Sequence, residues 1–379
     1  MRNIYFDNAA STKVRGSAVG AMLRVMETVY GNPSSSHTMG RMAAAELAAA
    51  RDKVAGALGA QSEEIFFTSG GTESGNWAVF GVAEAMAHKG RHIVTTAIEH
   101  DAIMEPVKKL ISNGWEATLV KPNSNGRIPV EDVAAALRED TVFVSVMLVN
   151  NETGAVNPLN EIAGEVRRLS PGAVLHTDAV QGFCKVPFTV KTLGVDLLTV
   201  SAHKIHGPKG VGALYIKSGT KLPPLILGGG HESGRRSGTE ALPAIAGFGE
   251  AAMRGRSELS ETSSAVRAIR DHILTRLSTE LPQAITIGNG DSPFILSLSL
   301  PGYKSEVLMN YLEGEGIFVS KSAACKKGAR SRVLEAMKLK NEVIDGTLRV
   351  SFSKYSTMEE ADFFTETLIK ATGAILKSL

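Results

Sequence analysis

Asp196-Leu-Leu-Thr-Val-Ser-Ala-His-Lys204-Ile-His-Gly-Pro-Lys-Gly-Val-Gly-Ala-Leu-Tyr-Ile216 reads as a buried apolar strand, a tight polar turn and a second apolar strand. Lys204 sits at the turn, between His203 and a Gly207-Pro-Lys-Gly210 run that breaks any continuing helix or strand. A lysine at the end of a hydrophobic strand is poorly hydrated, which lowers its pKa and makes a neutral, nucleophilic amine reachable. Such an amine suits an imine with an aldehyde. A surface lysine in a hairpin turn fits this stretch equally well, so the rest of the chain decides.

Upstream, short β-branched runs alternate with helical segments. Strands are expected at Ile65–Thr68, His92–Thr96, Glu116–Val120, Thr141–Val149, Val174–Thr177 and Leu197–Val200. Helices are expected through about Leu58, from about Ser74 to His88, near Ile103–Asn113, over Val130–Arg138 and near Ile162–Arg168. This rhythm predicts a mostly parallel sheet covered on both faces, whose ligands collect at the carboxyl ends of the strands. Polar groups cluster at those ends: Glu99-His100, Asn150-Asn151-Glu152, Asp178 with Gln181, and Lys204. Ser69-Gly-Gly-Thr-Glu73, between a strand and a helix start, presents backbone N–H groups and a positive dipole end to an anion. Its spacing is neither a Walker loop nor a Rossmann fingerprint. Asp7-Asn8-Ala-Ala10 suits contact with a small polar ligand, or equally an Asx-turn.

Beyond the glycine-rich, cationic Gly228–Thr239 segment, one long helix is expected from about Ala241 to Leu281, leading to a region of different rhythm. The domains expected are a large one over 14–255 and a smaller α+β one made of 1–13 and 256–379. The chain has 379 residues, 43% hydrophobic and 21% charged, with a net charge of +2. That balance excludes a disordered chain and an electrostatic footprint for nucleic acid. No apolar run approaches the ~20 residues that cross a bilayer. Two cysteines, Cys184 and Cys325, make no disulfide framework, and a cytoplasmic location is expected.

Together these pieces give a lysine for an imine, an acid (Asp178) for a pyridinium nitrogen, a histidine (His100) for a flat ring and a backbone nest with Thr72 for a phosphate. They are the protein's tasks in pyridoxal phosphate chemistry. Asn151 and Gln181 would face the ring's phenolic oxygen.

At this level of detail the chain resembles cysteine desulfurases of the NifS/IscS kind, within the class-V aminotransferases of the fold-type-I pyridoxal phosphate (PLP) enzymes. The resemblance is carried by Tyr5-Phe-Asp-Asn-Ala-Ala10, Gly31-Asn-Pro-Ser-Ser35, Thr68-Ser-Gly-Gly-Thr-Glu73, Glu99-His100, Val149-Asn-Asn-Glu-Thr-Gly154 and Asp178-Ala-Val-Gln181. It continues through Ser201-Ala-His-Lys204, Gly207-Pro-Lys-Gly210, Gly228-Gly-Gly-His-Glu232 and Arg236-Ser-Gly-Thr239, in order over nearly the whole chain.

The resemblance implies an α/β fold-type-I enzyme that converts L-cysteine to L-alanine. Lys204 would carry the cofactor as an imine and move the α-proton, and His100 would stack on the ring and serve acid–base steps. Gly71, Thr72, Ser201 and His203 would hold the phosphate, with Thr239 arriving from the second subunit of a homodimer. Asp178 would face the pyridine nitrogen, with Gln181 and Asn151 near the phenolic oxygen. Arg349 would clamp the substrate carboxylate, with Asn8 and Asn151 also on the substrate side. Cys325, in a segment where Lys326, Lys327 and Arg330 favour the thiolate, would receive the sulfur as a persulfide. The sulfur would pass to an iron–sulfur scaffold or a tRNA sulfurtransferase, with no metal, membrane or direct nucleic-acid contact. Cys184 reads as a small buried residue.

The chain departs from the family around Cys325. Lys321 and Lys326-Lys-Gly interrupt the usual Ser-Gly-Ser-Ala-Cys-Thr pattern, the segment from Cys325 to Val333 is about two residues shorter, and Ser233 stands where the family often has arginine. A fold-type-I aminotransferase would need Lys204 and Asp178 but have no use for Cys325. A selenocysteine lyase would use the same chemistry, whereas a non-catalytic sulfur-carrier scaffold would show disrupted site residues, and none is disrupted.

Overall fold

A computed structural model describes residues 3–322 and 330–376. Strands β1 (Ile4–Tyr5), β2 (Ile65–Thr68), β3 (His92–Thr96), β4 (Glu116–Val120), β5 (Thr141–Ser145), β6 (Val174–Asp178), β7 (Leu197–Ser201) and β8 (Gly212–Ile216) lead the chain. All but β1 form one seven-stranded sheet in the order β2-β8-β7-β6-β5-β3-β4. The pairs from β7 to β4 are parallel, while β8 runs antiparallel to both β7 and β2. The carboxyl ends of β2, β3, β5, β6 and β7 therefore share one edge. Every residue of β2, β3, β5, β7 and β8 is buried, as a sheet covered on both faces requires. β4, at the sheet edge, is mostly open.

The covering helices include α1 (Gly16–Thr28), α2 (Thr38–Leu58), α3 (Gly71–Met86), α4 (Asp101–Ser112), α5 (Val130–Ala136), α6 (Leu159–Leu169) and α7 (Val190–Leu193). The helix expected over 241–281 is two, α8 (Leu242–Ser257) and α9 (Leu259–Glu280). They part at Glu258, whose carboxylate takes Arg15 and Lys354 at 2.6 Å each. The strand expected to Val149 is regular only to Ser145; beyond it Val146 and Leu148 N–H still donate to the carbonyls of His176 and Asp178 on β6, while Met147 and Asn151 line the cleft described below.

Further on come β9 (Ile285–Ile287), β10 (Ile295–Ser299), α10 (Ser305–Gly314), β11 (Ile317–Phe318), β12 (Ser320–Lys321), α11 (Arg332–Ala336), α12 (Asn341–Asp345), β13 (Thr347–Ser351) and α13 (Met358–Ala374). An antiparallel sheet β12-β13-β10-β9 packs with α9, α10 and α13 around Phe294, Leu298, Leu308, Val350 and Phe364. β1 pairs with β11, and Ile4 and Phe6 enter this second core. That pairing lays the N-terminal loop beside β13, where Asp7 bridges to Ser351. Among the described residues, no helix is long and apolar enough to cross a membrane.

Candidate active site

A cleft of about 300 Å³ opens at the carboxyl edge of the large sheet. Its walls include Ala9, Ala10, Gly71, Thr72, His100, Asn151, Asp178, Gln181, Ser201, His203, Lys204 and Arg349. Almost every residue expected from the sequence is here.

Lys204 ends the short 3₁₀ turn that follows β7, and its Nζ donates to the carbonyls of Ala9 (2.7 Å) and Ala10 (2.8 Å). The N-terminal loop that supplies those carbonyls is itself pinned to β13. Ala9 N–H donates to Ser351 Oγ, and Asn8 Nδ2 donates to the carbonyls of Tyr5 and Ser351. Asn8 is thus buried behind the loop and is not among the cleft-lining residues.

Asp178 ends β6, 6% exposed, with Oδ1 accepting from Val180 N–H at 2.9 Å. Burial pushes its carboxyl above the usual range, while His100, the Val180 N–H and Lys204 pull the other way. A cationic guest would suit such a carboxylate. His100 caps α4, its Nδ1 accepting from Ala102 N–H at 3.1 Å. That bond leaves Nε2 as the proton-bearing nitrogen of the neutral ring. His203 is half-buried, and burial together with Lys204, Lys209 and Lys185 lowers its pKa to about 4, so the ring is neutral.

The phosphate turn has the shape its sequence suggests. Gly70, at φ +152°, precedes α3, a 16-residue helix that starts without a side-chain cap. A Cβ on Gly71 would meet Val180 Cγ2 at 3.0 Å, so the backbone lies bare against the cleft wall. An uncapped helix N-terminus beside Thr72, Ser201 and a neutral His203 is a donor set for a phosphate. With Asp178 for a ring nitrogen and Lys204 for an aldehyde, the residues fit pyridoxal phosphate.

Arg349, on β13, is 3% exposed. Nη1 donates to the Asn151 carbonyl (3.1 Å) and Nη2 to Asp7 Oδ1 (3.0 Å), whereas Nε is buried with no hydrogen-bond partner. A substrate carboxylate would satisfy a guanidinium held this way.

Thr239 is exposed and is not among the cleft-lining residues. Its segment is clamped by two bidentate pairs, one to the phosphate turn and one to α2. Arg236 grips Glu73, and Arg51 grips Glu232, which also accepts from Phe67 N–H. Cys325 lies outside the described residues. Its segment is flanked by Ser322 and Arg330, and Ser331 then caps α11 while its hydroxyl donates to buried Glu152. Arg332 adds a bond to the Glu99 carbonyl and an ion pair to Asp101.

Two buried acids here are pushed well above the usual carboxyl range. Burial, with the Asp178 charge adding to it, raises Glu99 to about 8, and burial raises Glu152 to about 7. Sequence reasoning passed over the Arg51–Glu232 and Arg236–Glu73 clamps, whose partners are far apart in the chain. It also passed over Lys185, which sits four residues after Gln181, a spacing that could have flagged the pair. Cys184 is half-buried at φ +55°, with its thiol pushed up to about 12 by burial.

The class-V aminotransferase pattern matches residues 4–364. A cysteine desulfurase IscS from Methanosarcina thermophila is 39% identical over 95% of this chain and 89% of its own. One from Dictyoglomus turgidum is 38% identical over 97% and 94%. Among solved structures, a NifS-like protein superposes with a TM-score of 0.94 at 38% identity, covering 99% of this chain and all of its own. SspA in complex with cysteine superposes at 0.82 with 30% identity, covering 94% and 100%. This chain belongs to the class-V aminotransferase family, among its cysteine desulfurases of the IscS/NifS type.

Proposed function

We propose that the cleft holds pyridoxal 5'-phosphate on Lys204 and that the enzyme takes sulfur from L-cysteine onto Cys325, releasing L-alanine. Family membership makes the chain a cysteine desulfurase that mobilises sulfur. The observation that carries the residue assignment is the placement of Lys204, held by the Ala9 and Ala10 carbonyls among Asp178, His100, Thr72 and Arg349 in one cleft.

Gly71, Thr72, Ser201 and His203 would bind the phosphate, Asp178 the ring nitrogen, and Asn151 and Gln181 the phenolic oxygen. When bound, the cofactor supplies an electron sink for the bonds broken at the substrate's α and β carbons. Arg349 and Asn151 orient the substrate carboxylate, with Asn8 acting through the loop it anchors. Lys204 Nζ moves the α-proton, and His100 Nε2 gives or takes a proton at the open side of the cleft. The Cys325 thiolate would attack the substrate sulfur and keep it as a persulfide as the bond from that sulfur to the β carbon breaks, its electron pair staying with the carbon fragment, which takes up protons to leave as alanine.

Cysteine as substrate is supported by the cysteine complex of the SspA relative. A homodimer, with Thr239 reaching the other subunit's phosphate, is supported by an open apolar stripe on α1. Val19, Leu23 and Met26 on that helix are 41–53% exposed, Tyr30 just beyond it is 72% exposed, and Leu227 elsewhere is 82% exposed. The acceptor would be an iron–sulfur scaffold or a tRNA sulfurtransferase, and two cysteines without a disulfide framework favour the cytoplasm.

The test is a cofactor-dependent visible absorption band together with alanine formation from cysteine. Both should vanish in Lys204→Ala, and a wild-type protein that never shows the band when given the cofactor contradicts the proposal.

A further inference from the structure

Lys185 lies at the back of the cleft and has no part in the account above. The residue is 6% exposed, and Nζ donates to Gln181 Oε1 at 2.9 Å. Through Nε2 the same amide donates to the Ala9 carbonyl at 2.8 Å, and that carbonyl also accepts from Lys204 Nζ at 2.7 Å. An amide's oxygen and nitrogen are told apart by their partners. Here the partners decide, because an ammonium only donates and a carbonyl only accepts. The flipped amide would set Oε1 against the Ala9 oxygen and Nε2 against Lys185 Nζ, two repulsive contacts in a buried place. With Oε1 turned to Lys185 and one N–H spent on Ala9, one Nε2 N–H is left over, on a residue that lines the cleft.

Burial, with the positive charges of Lys204 and Arg349, brings the Lys185 pKa down to about 7. Charged, the ammonium can only donate to Oε1; neutral, the amine still has an N–H to give there while the Ala9 carbonyl still requires Nε2, so the orientation survives its titration.

We propose that Lys185 is a positioning residue that locks the Gln181 amide so that an N–H, and not the carbonyl, faces the group held in the cleft. The inference rests on the cofactor reading given above and deepens it: the donor to the cofactor's phenolic oxygen is set from behind by a buried lysine.

The test titrates the visible absorption of the holoenzyme with pH in the wild type, Lys185→Met, Gln181→Leu and the double variant. A phenolic oxygen that loses a donor holds more negative charge and keeps the cofactor's acidic proton to higher pH. Gln181→Leu should therefore raise the titration midpoint by about one pH unit, about tenfold in proton affinity. Lys185→Met should raise it similarly and add little in the Gln181→Leu background. A wild-type midpoint in Lys185→Met overturns the inference. So does the full Lys185→Met shift persisting without Gln181, since the lysine would then act by charge alone. If Lys185→Met does not retain cofactor, Lys185→Arg decides, because it keeps donors beside the amide: a wild-type midpoint supports the inference and a raised one overturns it. A wild type with no visible band overturns the cofactor reading itself, and this inference with it.

Discussion

Glu99 offers a sharp physical test of how this site is built. It is 1% exposed; Oε1 accepts from Met147 N–H (2.7 Å) and Thr96 Oγ1 (3.1 Å), while Oε2 is buried without a partner. Burial, reinforced by the Asp178 charge, moves its pKa from an ordinary 4.5 to about 8. Folding thus raises the pKa, so the native chain holds the proton more tightly than the unfolded one. The associated stability is fully present below about pH 4.5 and is lost as pH rises through about 8. Between pH 5 and pH 8 the loss from this residue comes to about 3 kcal/mol. Glu99→Gln keeps both hydrogen bonds to Oε1 and removes the titration. Urea unfolding of cofactor-free wild type and variant at half-unit pH steps measures the difference. The account expects the variant's stability to fall less steeply over that range, by about 3 kcal/mol, and the two curves to converge toward pH 5. Parallel curves would refute the claim that Glu99 holds its proton at neutral pH.

Three further outcomes are expected. Ser331→Ala removes the cap of α11, which accepts from Leu334 N–H at 3.1 Å, and strips buried Glu152 of its hydroxyl partner. The root of the Cys325 segment should loosen by about 2–3 kcal/mol, read as faster amide exchange at Leu334 and slower sulfur transfer to Cys325; unchanged exchange would contradict this. Arg349→Lys keeps the charge but loses the planar fork held by Asp7 and Asn151, so kcat/KM for cysteine should fall about 10- to 100-fold, mainly through KM. Cys184, its thiol pushed up to about 12, should resist alkylation near pH 8 under conditions that label Cys325, as peptide mapping would report.

The carboxyl-edge site was legible because strand ends are local signals. Thr96, Asp178 and Ser201 close runs of β-branched and apolar residues, and the groups that follow them project over one sheet edge. α1 escaped notice, since Gly16 and Gly20 weaken its helical signal, Arg15 gives no side-chain cap, and its apolar stripe faces outward. The break at Glu258 was equally hidden. No proline marks it, and Glu258 is held by Arg15 and Lys354, residues about a hundred or more positions away. Lys185 drew no notice because its burial depends on how the loop around Cys184 folds back against α8, where a Cβ on Gly255 would meet Cys184 Cβ at 2.9 Å. Contacts remote in sequence decide what such residues do. The pattern of strands and turns showed where they would gather.

The central claim, that sulfur leaves cysteine by way of Cys325, is tested most directly by mass spectrometry of the enzyme after turnover with cysteine and no acceptor. The account predicts one added sulfur on the peptide containing Cys325, none on the peptide containing Cys184, and loss of alanine formation in Cys325→Ala. Alanine formed at the wild-type rate by Cys325→Ala, with no added sulfur on the wild-type peptide, would contradict it.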